Sequence, residues 1–169
     1  EGVLMFGAFA YVGADLHQRF GIGPGLVGLT IAAFGIGALV YSLAAGWLVP
    51  RWGQARLMAI GIVLLTIGYV VFALTPWLWV APLAVAVVGL GFYMLHNTLQ
   101  TEATQLAPQA RGLSVSMFAI MLFTGQSVGV ALAGAVLDRW GGTTVFLVAA
   151  MGLLGMISWF RLQYMRRPR

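Results

Sequence analysis

The sequence predicts an all-α membrane protein, a six-helix bundle that crosses a bilayer. Hydrophobic residues make up 61% of the 169 residues and charged residues only 8%, whereas charged residues reach about 25% in soluble domains. So few charged side chains cannot cover the surface that a soluble fold of this length leaves in water. Lipid is therefore the predicted solvent, and membrane lipid is an expected partner.

Charge-free stretches locate the helices, because a spanning helix needs roughly 20 predominantly apolar residues. The predicted spans lie near residues 25–49, 57–75, 78–99, 112–137 and 143–160. The apolar run at residues 1–14 is too short for a complete span. We expect it to be a span truncated at its beginning, with a helix in the membrane interface as the alternative.

Glycine and proline mark the breaks between these spans. A turn is predicted at residues 21–24, where glycine permits a reversal of the chain. The long apolar stretch at residues 57–99 is divided at Pro76, because proline disfavours helical backbone in the residue before it. Trp77 beside this break suits the interfacial belt of a membrane.

The arginines predict the orientation of the bundle. All nine basic residues are arginine, and six alternating spans divide them seven to two between the two sides. The larger set is assigned to the cytoplasm by the excess of basic residues in cytoplasmic loops. It comprises Arg51, Arg56, Arg111, Arg161, Arg166, Arg167 and Arg169. Residues 161–169 then form a cytoplasmic tail, whereas Asp15, His17 and Arg19 form an outer loop.

Several classes of function are excluded by what the sequence lacks. It contains no cysteine, so disulfides and thiolate metal sites are excluded. It also contains no HExxH and no phosphate-binding glycine loop, and its Gly-x-Ser-x-Gly sequence at residues 125–129 lies within a predicted span and not on the strand-to-helix turn of a nucleophile elbow. We therefore predict no enzyme activity, no metal and no cofactor. The arginines do not form the clustered stripe on a soluble face that nucleic-acid binding needs, so no nucleic-acid partner is expected.

A loop after the first full span resembles a known signature. Residues 46–54 resemble the Gly-x-Leu-x-Asp-Arg-x-Gly-Arg signature of the major facilitator superfamily, in its weaker copy between the eighth and ninth helices. The positions that match are Gly46, Leu48, Arg51 and Gly53. Pro50 replaces the aspartate and Gln54 replaces the final basic residue, and Arg56 is the candidate to compensate in part.

The resemblance implies the C-terminal half of a twelve-helix fold with a missing N-terminal six-helix half. It also implies a drug or sugar efflux-type transporter that moves a small organic solute by alternating access in a bacterial inner membrane. Proton coupling is implied by resemblance only. Because Asp15, Glu102 and Asp138 flank the spans, the proton-carrying carboxylate is expected in the missing half. A six-helix scaffold or partner-binding subunit without cargo is the alternative, and a self-paired half-transporter is a third possibility.

Polar residues within the spans are the candidates for a substrate pathway, because unsatisfied polar groups are costly in lipid. These candidates are Gln126, Thr124, His96, Asn97, Tyr41 and Tyr11. Hydrogen bonds between helices, or to a carbonyl one turn back, are the alternative for each. Gln126 is the strongest candidate because it lies deepest.

Two further groups are predicted from the loops and the glycines. A cytoplasmic loop and gate is predicted at Gly46, Arg51, Gly53, Arg56, Glu102 and Arg111. In this gate, Glu102 and Arg111 would pair in one conformation and separate in the other. Close helix packing is predicted at Gly125, Gly129 and Gly134, because small residues let membrane helices approach closely, and the first two have the four-residue spacing typical of such contacts.

Overall fold

The computed structural model describes residues 1–165 of the chain, with side chains as far as Phe160. Every regular element in this described part is helical. The opening segment comprises a π-helical turn at Gly2–Phe6 and a short α-helical stretch at Gly7–Phe9. The longer helices are α1 (Val12–Phe20), α2 (Pro24–Leu74), α3 (Ala81–Leu106), α4 (Arg111–Trp140) and α5 (Gly142–Met165).

The long helix α2 consists of two limbs joined at one residue. Gly53 has φ 70° and ψ 162°, a conformation that glycine adopts more readily than other residues. Residues 24–52 form the first limb and residues 54–74 the second. The first limb runs through Pro50, although the sequence predicted that it ends near residue 49. Proline removes one hydrogen bond from a helix, and membrane helices tolerate this loss where neighbouring groups compensate.

The second limb of α2 packs directly on α3 at paired glycines. A Cβ atom at Gly61 would lie 2.7 Å from the carbonyl oxygen of Gly91, and a Cβ at Gly91 would lie 2.6 Å from that of Gly61. The two backbones therefore touch without side chains between them, as small residues permit in membrane helices. The first limb approaches α3 in the same way, since Gly37 meets the carbonyl oxygen of Ala86.

The opening segment packs on α4 through glycines of both elements. A Cβ at Gly7 would lie 2.7 Å from the carbonyl carbon of Gly129, and a Cβ at Gly129 would overlap the backbone of Val3. Gly125 lies beside the same residue, and a Cβ at Gly134 would lie 2.7 Å from the hydroxyl of Tyr11. The three glycines predicted to pack helices thus all face residues 2–11.

The outer faces of the helices are apolar. Four helices in the described part of the chain are long and apolar enough to cross a membrane, and the most apolar stretch of α4 is almost entirely uncovered. Buried aromatic side chains, among them Tyr69, Phe72 and Phe146, form the core between the helices. The predicted fold class, an all-α membrane bundle, is confirmed. The number of crossings remains a prediction.

The structure differs from the sequence prediction at the charged residues 15–19. Asp15, His17 and Arg19 do not form a loop, because all three lie on α1. The apolar positions Val12 and Leu16 are one helical turn apart and buried, so the helix continues through the charged residues. The predicted tail residues Arg166, Arg167 and Arg169 lie outside the described residues, as does the side chain of Arg161.

Candidate functional site

A carboxylate and an imidazole meet inside the bundle. The Oε2 atom of Glu1 lies 3.3 Å from Nδ1 of His96 on α3. The side chain of Glu1 is 4% exposed and that of His96 is 17% exposed. The other carboxylate oxygen of Glu1, Oε1, is buried without a hydrogen-bond partner among the described residues. We call these two residues the Glu1–His96 pair.

Aromatic rings enclose the imidazole of this pair. The ring of His96 stacks on Phe92 with centroids 4.9 Å apart, and it lies 5.3 Å from the ring of Phe118 on α4. Phe6 of the opening segment also contacts Phe92 edge to face. The pair is thus surrounded by apolar groups of three elements, where the energy of a charge depends strongly on its partner.

The Glu1–His96 pair corrects the expectation that this chain contributes no buried acid. His96 lies ten residues before the end of α3, or about 15 Å along the helix axis at 1.5 Å per residue. The amide of Met5 donates to the carbonyl oxygen of Glu1 at 2.9 Å, so Glu1 already belongs to the first helical turn. Sequence reasoning missed the pair because its two residues are separated by 94 others. The feature of the sequence that could have indicated the pair is the carboxylate of Glu1 directly before an apolar run.

Gln126 lies on α4 beside the same end of the opening segment. A Cβ at Gly2 would be 2.9 Å from the backbone nitrogen of Gln126, so this turn of α4 adjoins the residue after Glu1. Gln126 is half-buried, whereas Thr124 is exposed on the uncovered side of α4. The amide of Gln126 has no hydrogen-bond partner within the described part of the chain.

The remaining pathway candidates lie apart from the pair. Asn97 is half-buried next to His96 on α3. Tyr41 of the first limb of α2 is buried in a cluster with Leu57 of the second limb and Met94 of α3. Tyr11 directly precedes α1, and its hydroxyl donates to the carbonyl oxygen of Val130 on α4 at 2.9 Å. The hydroxyl therefore already has a partner in a neighbouring helix. Their roles in a pathway remain predictions.

The opening segment is fixed by a buried tyrosine. Tyr69 is 1% exposed, and its hydroxyl donates to the carbonyl oxygen of Met5 at 2.6 Å. Met5 lies within the π-helical turn at Gly2–Phe6, and such turns leave backbone carbonyls that need other donors. Tyr69 therefore stabilises the irregular turn that carries Glu1 into the bundle.

An ion pair fixes the opposite end of the bundle. Arg19 Nη2 lies 2.8 Å from Asp15 Oδ2 one turn back on α1. The same guanidinium donates to the carbonyl oxygens of Phe72 at 2.9 Å and Ala73 at 3.1 Å, where α2 ends. Burial raises the pKa of the Asp15 carboxyl, and the charge of Arg19 opposes this shift. Arg19 thus joins α1 to the last turn of α2.

The predicted gate residues lie around the junction of the α2 limbs and the ends of α3 and α4. The guanidinium of Arg51 lies 4.2 Å from the ring centroid of Trp47, a distance at which cation–π attraction operates. Gly46 has open space around it. Arg56 borders a groove with Ile157 and Phe160 of α5. Glu102 lies near the end of α3, and Arg111 is the first residue of α4.

No cluster of three or more potential metal ligands occurs among residues 1–160, whose side chains the structure describes. An apolar exterior and an ionisable pair within a helical bundle define a polytopic α-helical integral membrane protein.

The chain belongs to the Major Facilitator Superfamily, whose family model matches residues 2–169. The membership of the superfamily that the sequence resemblance implied is thereby confirmed. Multidrug resistance protein Stp of Mycobacterium tuberculosis is 25% identical over 79% of this chain and 25% of its own length. Multidrug resistance protein B homolog of the same species is 28% identical over 79% of the chain and 26% of its own length.

A rice protein, probable anion transporter 6 of Oryza sativa subsp. japonica, is 29% identical over 79% of the chain and 32% of its own length. The chain thus spans about a quarter to a third of the length of these relatives. No solved structure gives a significant match.

Proposed function

We propose that the chain is the C-terminal half of a secondary transporter that exports a small organic solute from a bacterial cell by alternating access. Two similar proteins carry the name multidrug resistance protein, which supports an organic solute as cargo. The chain spans about a quarter of their length, which leaves room in a protein of that length for the further six-helix half that this proposal assigns as the partner. Proton coupling supplies the energy for export in this proposal.

The observation that carries this proposal is the position of Gln126. Its amide belongs to a helix with an almost uncovered apolar stretch, and no described group satisfies it. Lipid cannot satisfy an amide, and the cost is several kcal/mol for each unsatisfied group, of order 2–7. A water-filled cavity between two halves satisfies both the amide and the exposed hydroxyl of Thr124. This argument supports α4 as a wall of the substrate cavity.

The partner half covers the other side of that cavity in this proposal. Exposed large apolar residues are abundant on α4 and on the first limb of α2. They include Leu29, Ile36, Leu39, Leu43, Leu113, Met117, Ile120 and Phe123. Faces of this kind suit either lipid or a second bundle, and the polar residues between them on α4 favour the second bundle there.

The experiment uses the full-length protein in everted membrane vesicles, with ethidium as a fluorescent organic cation. Gln126→Ala is expected to change the rate of transport by several-fold while membrane abundance stays at the wild-type level. Ser127→Ala is the matched control, because the Ser127 hydroxyl already donates to the carbonyl oxygen of Phe123 at 3.0 Å. A loss of abundance in step with transport favours helix packing as the role of Gln126. Absence of ethidium export by the wild-type protein contradicts the proposed export of organic solutes of this kind.

The gate forms part of the same proposal. The junction at Gly53 and the arginines beside it lie where the two limbs of α2 meet, and Glu102 and Arg111 lie at neighbouring helix ends. Charged residues at such ends form contacts of low net energy, about 0–1 kcal/mol each. Contacts of this strength can be made in one conformation and lost in another. In the proposed orientation this end, and the C-terminus, face the cytoplasm.

A further inference from the structure

We propose that a groove between the second limb of α2 and α5 binds an anionic phospholipid, whose phosphate lies at Arg56 and whose acyl chain lies along the apolar length of the groove. We call it the Arg56 groove. The inference rests on the membrane class of the protein and goes beyond the proposed function, because it concerns neither the cargo nor the coupling. A different cargo would leave it unchanged.

The Arg56 groove has a charged end and an apolar length. Its volume is about 230 Å³, and six apolar residues line it beside Arg56: Ala55, Met58, Ala59 and Ile62 of α2, and Ile157 and Phe160 of α5. Met58 and Ile62 are buried and form its floor. Ala55 and Ala59 are one helical turn apart and share a face, so their small side chains leave the space open. Among the described lining residues, only Arg56 carries a charge.

The charged end of the groove lies near a membrane surface. Arg56 precedes Phe72 by 16 residues, or about 24 Å along the helix axis, in a hydrocarbon layer of about 30 Å. At the far end of this limb the two helices touch, since the ring centroids of Phe72 and Phe146 are 4.8 Å apart. Near the groove, Trp159 of α5 is exposed, as suits a residue at the level of the lipid headgroups. Ile62 lies about 9 Å deeper than Arg56 along the axis.

Arg56 has no carboxylate partner on the helices that form the groove. The sequences of α2 and α5 contain no aspartate or glutamate. Within the part of the chain with described side chains, Arg56 makes no ion pair. Arg51 differs, because its guanidinium lies 4.2 Å from the ring centroid of Trp47. A guanidinium without a carboxylate, at the level of the headgroups, is suited to phosphate, which its planar N–H groups bind in pairs.

Charge complementarity favours an anionic lipid as the occupant. The acyl chain alone gives little selectivity, because lipid tails are as apolar as the side chains that they contact. Basic pockets between membrane helices bind anionic headgroups, and phosphatidylglycerol has a net negative charge. Phosphatidylethanolamine carries its own ammonium group, which neutralises its phosphate. The proposed partner half covers α4 and the first limb of α2, which leaves the groove beside the second limb to lipid.

Photolabelling of the full-length protein in proteoliposomes tests the site. The vesicles are phosphatidylcholine with a small fraction of phosphatidylglycerol that carries a diazirine on one acyl chain, near the glycerol. After illumination, mass spectrometry should find adducts at residues 55–62 and 157–160. Adducts at the exposed positions Val63, Ile67 and Val71 of the same limb report the ordinary lipid around the protein and serve as the internal reference.

The choice of lipid gives the first decisive comparison. Phosphatidylethanolamine with the same diazirine chain should label the Arg56 groove several-fold less, relative to the internal reference, than phosphatidylglycerol does. Equal relative labelling by the two lipids overturns the proposal. Glycerol 1-phosphate in excess should leave the labelling unchanged, because it has no chain to lie in the groove. If it abolishes the labelling, a soluble phosphate occupies the site and the assignment to a lipid is wrong.

Variants then assign the phosphate to Arg56. Arg56→Gln should lower the relative labelling of the groove by phosphatidylglycerol several-fold, whereas Arg56→Lys should keep most of it, because an ammonium also binds phosphate as a point charge. Arg51→Gln is the matched control, since it removes the same charge outside the groove, and it should stay within about twofold of wild type. Equal losses in Arg51→Gln and Arg56→Gln indicate a general attraction to the basic surface and overturn the site. Unchanged labelling in Arg56→Gln also overturns it.

A variant that fills the groove tests the place of the acyl chain. Ala59→Leu keeps Arg56 and adds a larger side chain at an exposed position of the groove, so it should lower the labelling at residues 157–160 several-fold. Labelling of these residues at the wild-type level places the chain elsewhere and overturns the proposal. Absence of ethidium transport in the wild type contradicts the proposed function, and the photolabelling still decides whether the lipid binds.

Discussion

Substituting Gly61 tests whether the α2–α3 contact limits the stability of the bundle. A Cβ at Gly61 would lie 2.7 Å from the carbonyl oxygen of Gly91 and 2.9 Å from the amide nitrogen of Leu95. An ordinary carbon–oxygen contact is about 3.3–3.6 Å, so the shortfall is about 0.6 Å or more. Both obstructing atoms are backbone atoms of a helix, and neither can rotate away. Gly61→Ala therefore requires the two helices to separate.

The expected change in the free energy of unfolding of Gly61→Ala is the difference between two opposing effects. Overpacking of this kind costs typically 1–3 kcal/mol, whereas alanine in place of glycine returns up to about 1 kcal/mol of helix propensity. Gly35 provides a matched control, because it lies in the first limb of α2 with nothing within 4 Å of an added Cβ. Gly35→Ala gains the propensity term without the overlap. The free energies of unfolding of Gly61→Ala and Gly35→Ala should therefore differ by about 1–3 kcal/mol.

Melting of the full-length protein in mild detergent, followed by fluorescence-detected size exclusion, measures this difference. Gly61→Ala should melt below wild type, and Gly35→Ala at or above it. The double variant with Gly91→Ala should lose less than the sum of the two single losses, since one separation of the helices relieves both overlaps. If Gly61→Ala melts at or above Gly35→Ala, the direct backbone contact does not exist as described.

Three further predictions concern other parts of the bundle. Arg19→Ala removes bonds to carbonyls at the end of α2 and leaves a buried acid unpaired, so it should destabilise by about 3–5 kcal/mol at most, reduced by the partial exposure of the guanidinium. Exposed Arg139→Ala should change the same melting temperature little. Tyr69→Phe removes one buried hydrogen bond and should destabilise by about 1–3 kcal/mol, and an unchanged melting temperature would contradict the bond to the opening segment. Because the chain lacks cysteine, thiol reagents should label Arg56→Cys from the cytoplasmic side only and Asp138→Cys from the outside only. Labelling of both from one side contradicts the six-span topology.

The fold class could be predicted from the sequence because helices that lie in lipid must be apolar along their length, and amino-acid composition shows this directly. Helix α2 ends at Leu74 and α3 begins at Ala81, and Pro76 between them allowed this break to be predicted. Composition does not predict whether the helix ends at Pro50, because a proline can end a helix or lie within one. The helix continues through Pro50, and the chain turns three residues later at Gly53, where glycine adopts the backbone conformation of the turn.

The candidate site was only partly predictable because it depends on contacts between distant residues. His96 was identified from its polarity at membrane depth, which a single sequence can reveal. Its partner Glu1 was not identified, because no periodicity links residues in different helices. Asp15 was assigned to a loop because of its charge, although its ion pair with Arg19 lets it lie buried on α1. Local sequence patterns therefore locate polar and charged residues in apolar surroundings, whereas only the packing of the helices shows which partner each of them has.

The junction at Gly53 has a mechanical consequence. Only this residue departs from helical geometry between two rods of about 29 and 21 residues. The two rods can therefore change their relative orientation only through φ and ψ of Gly53. The second rod contacts α3 through bare backbone at Gly61 and Gly91. Because the first rod also meets α3, at Gly37, a change of angle at Gly53 alters the contacts with the helix that holds His96.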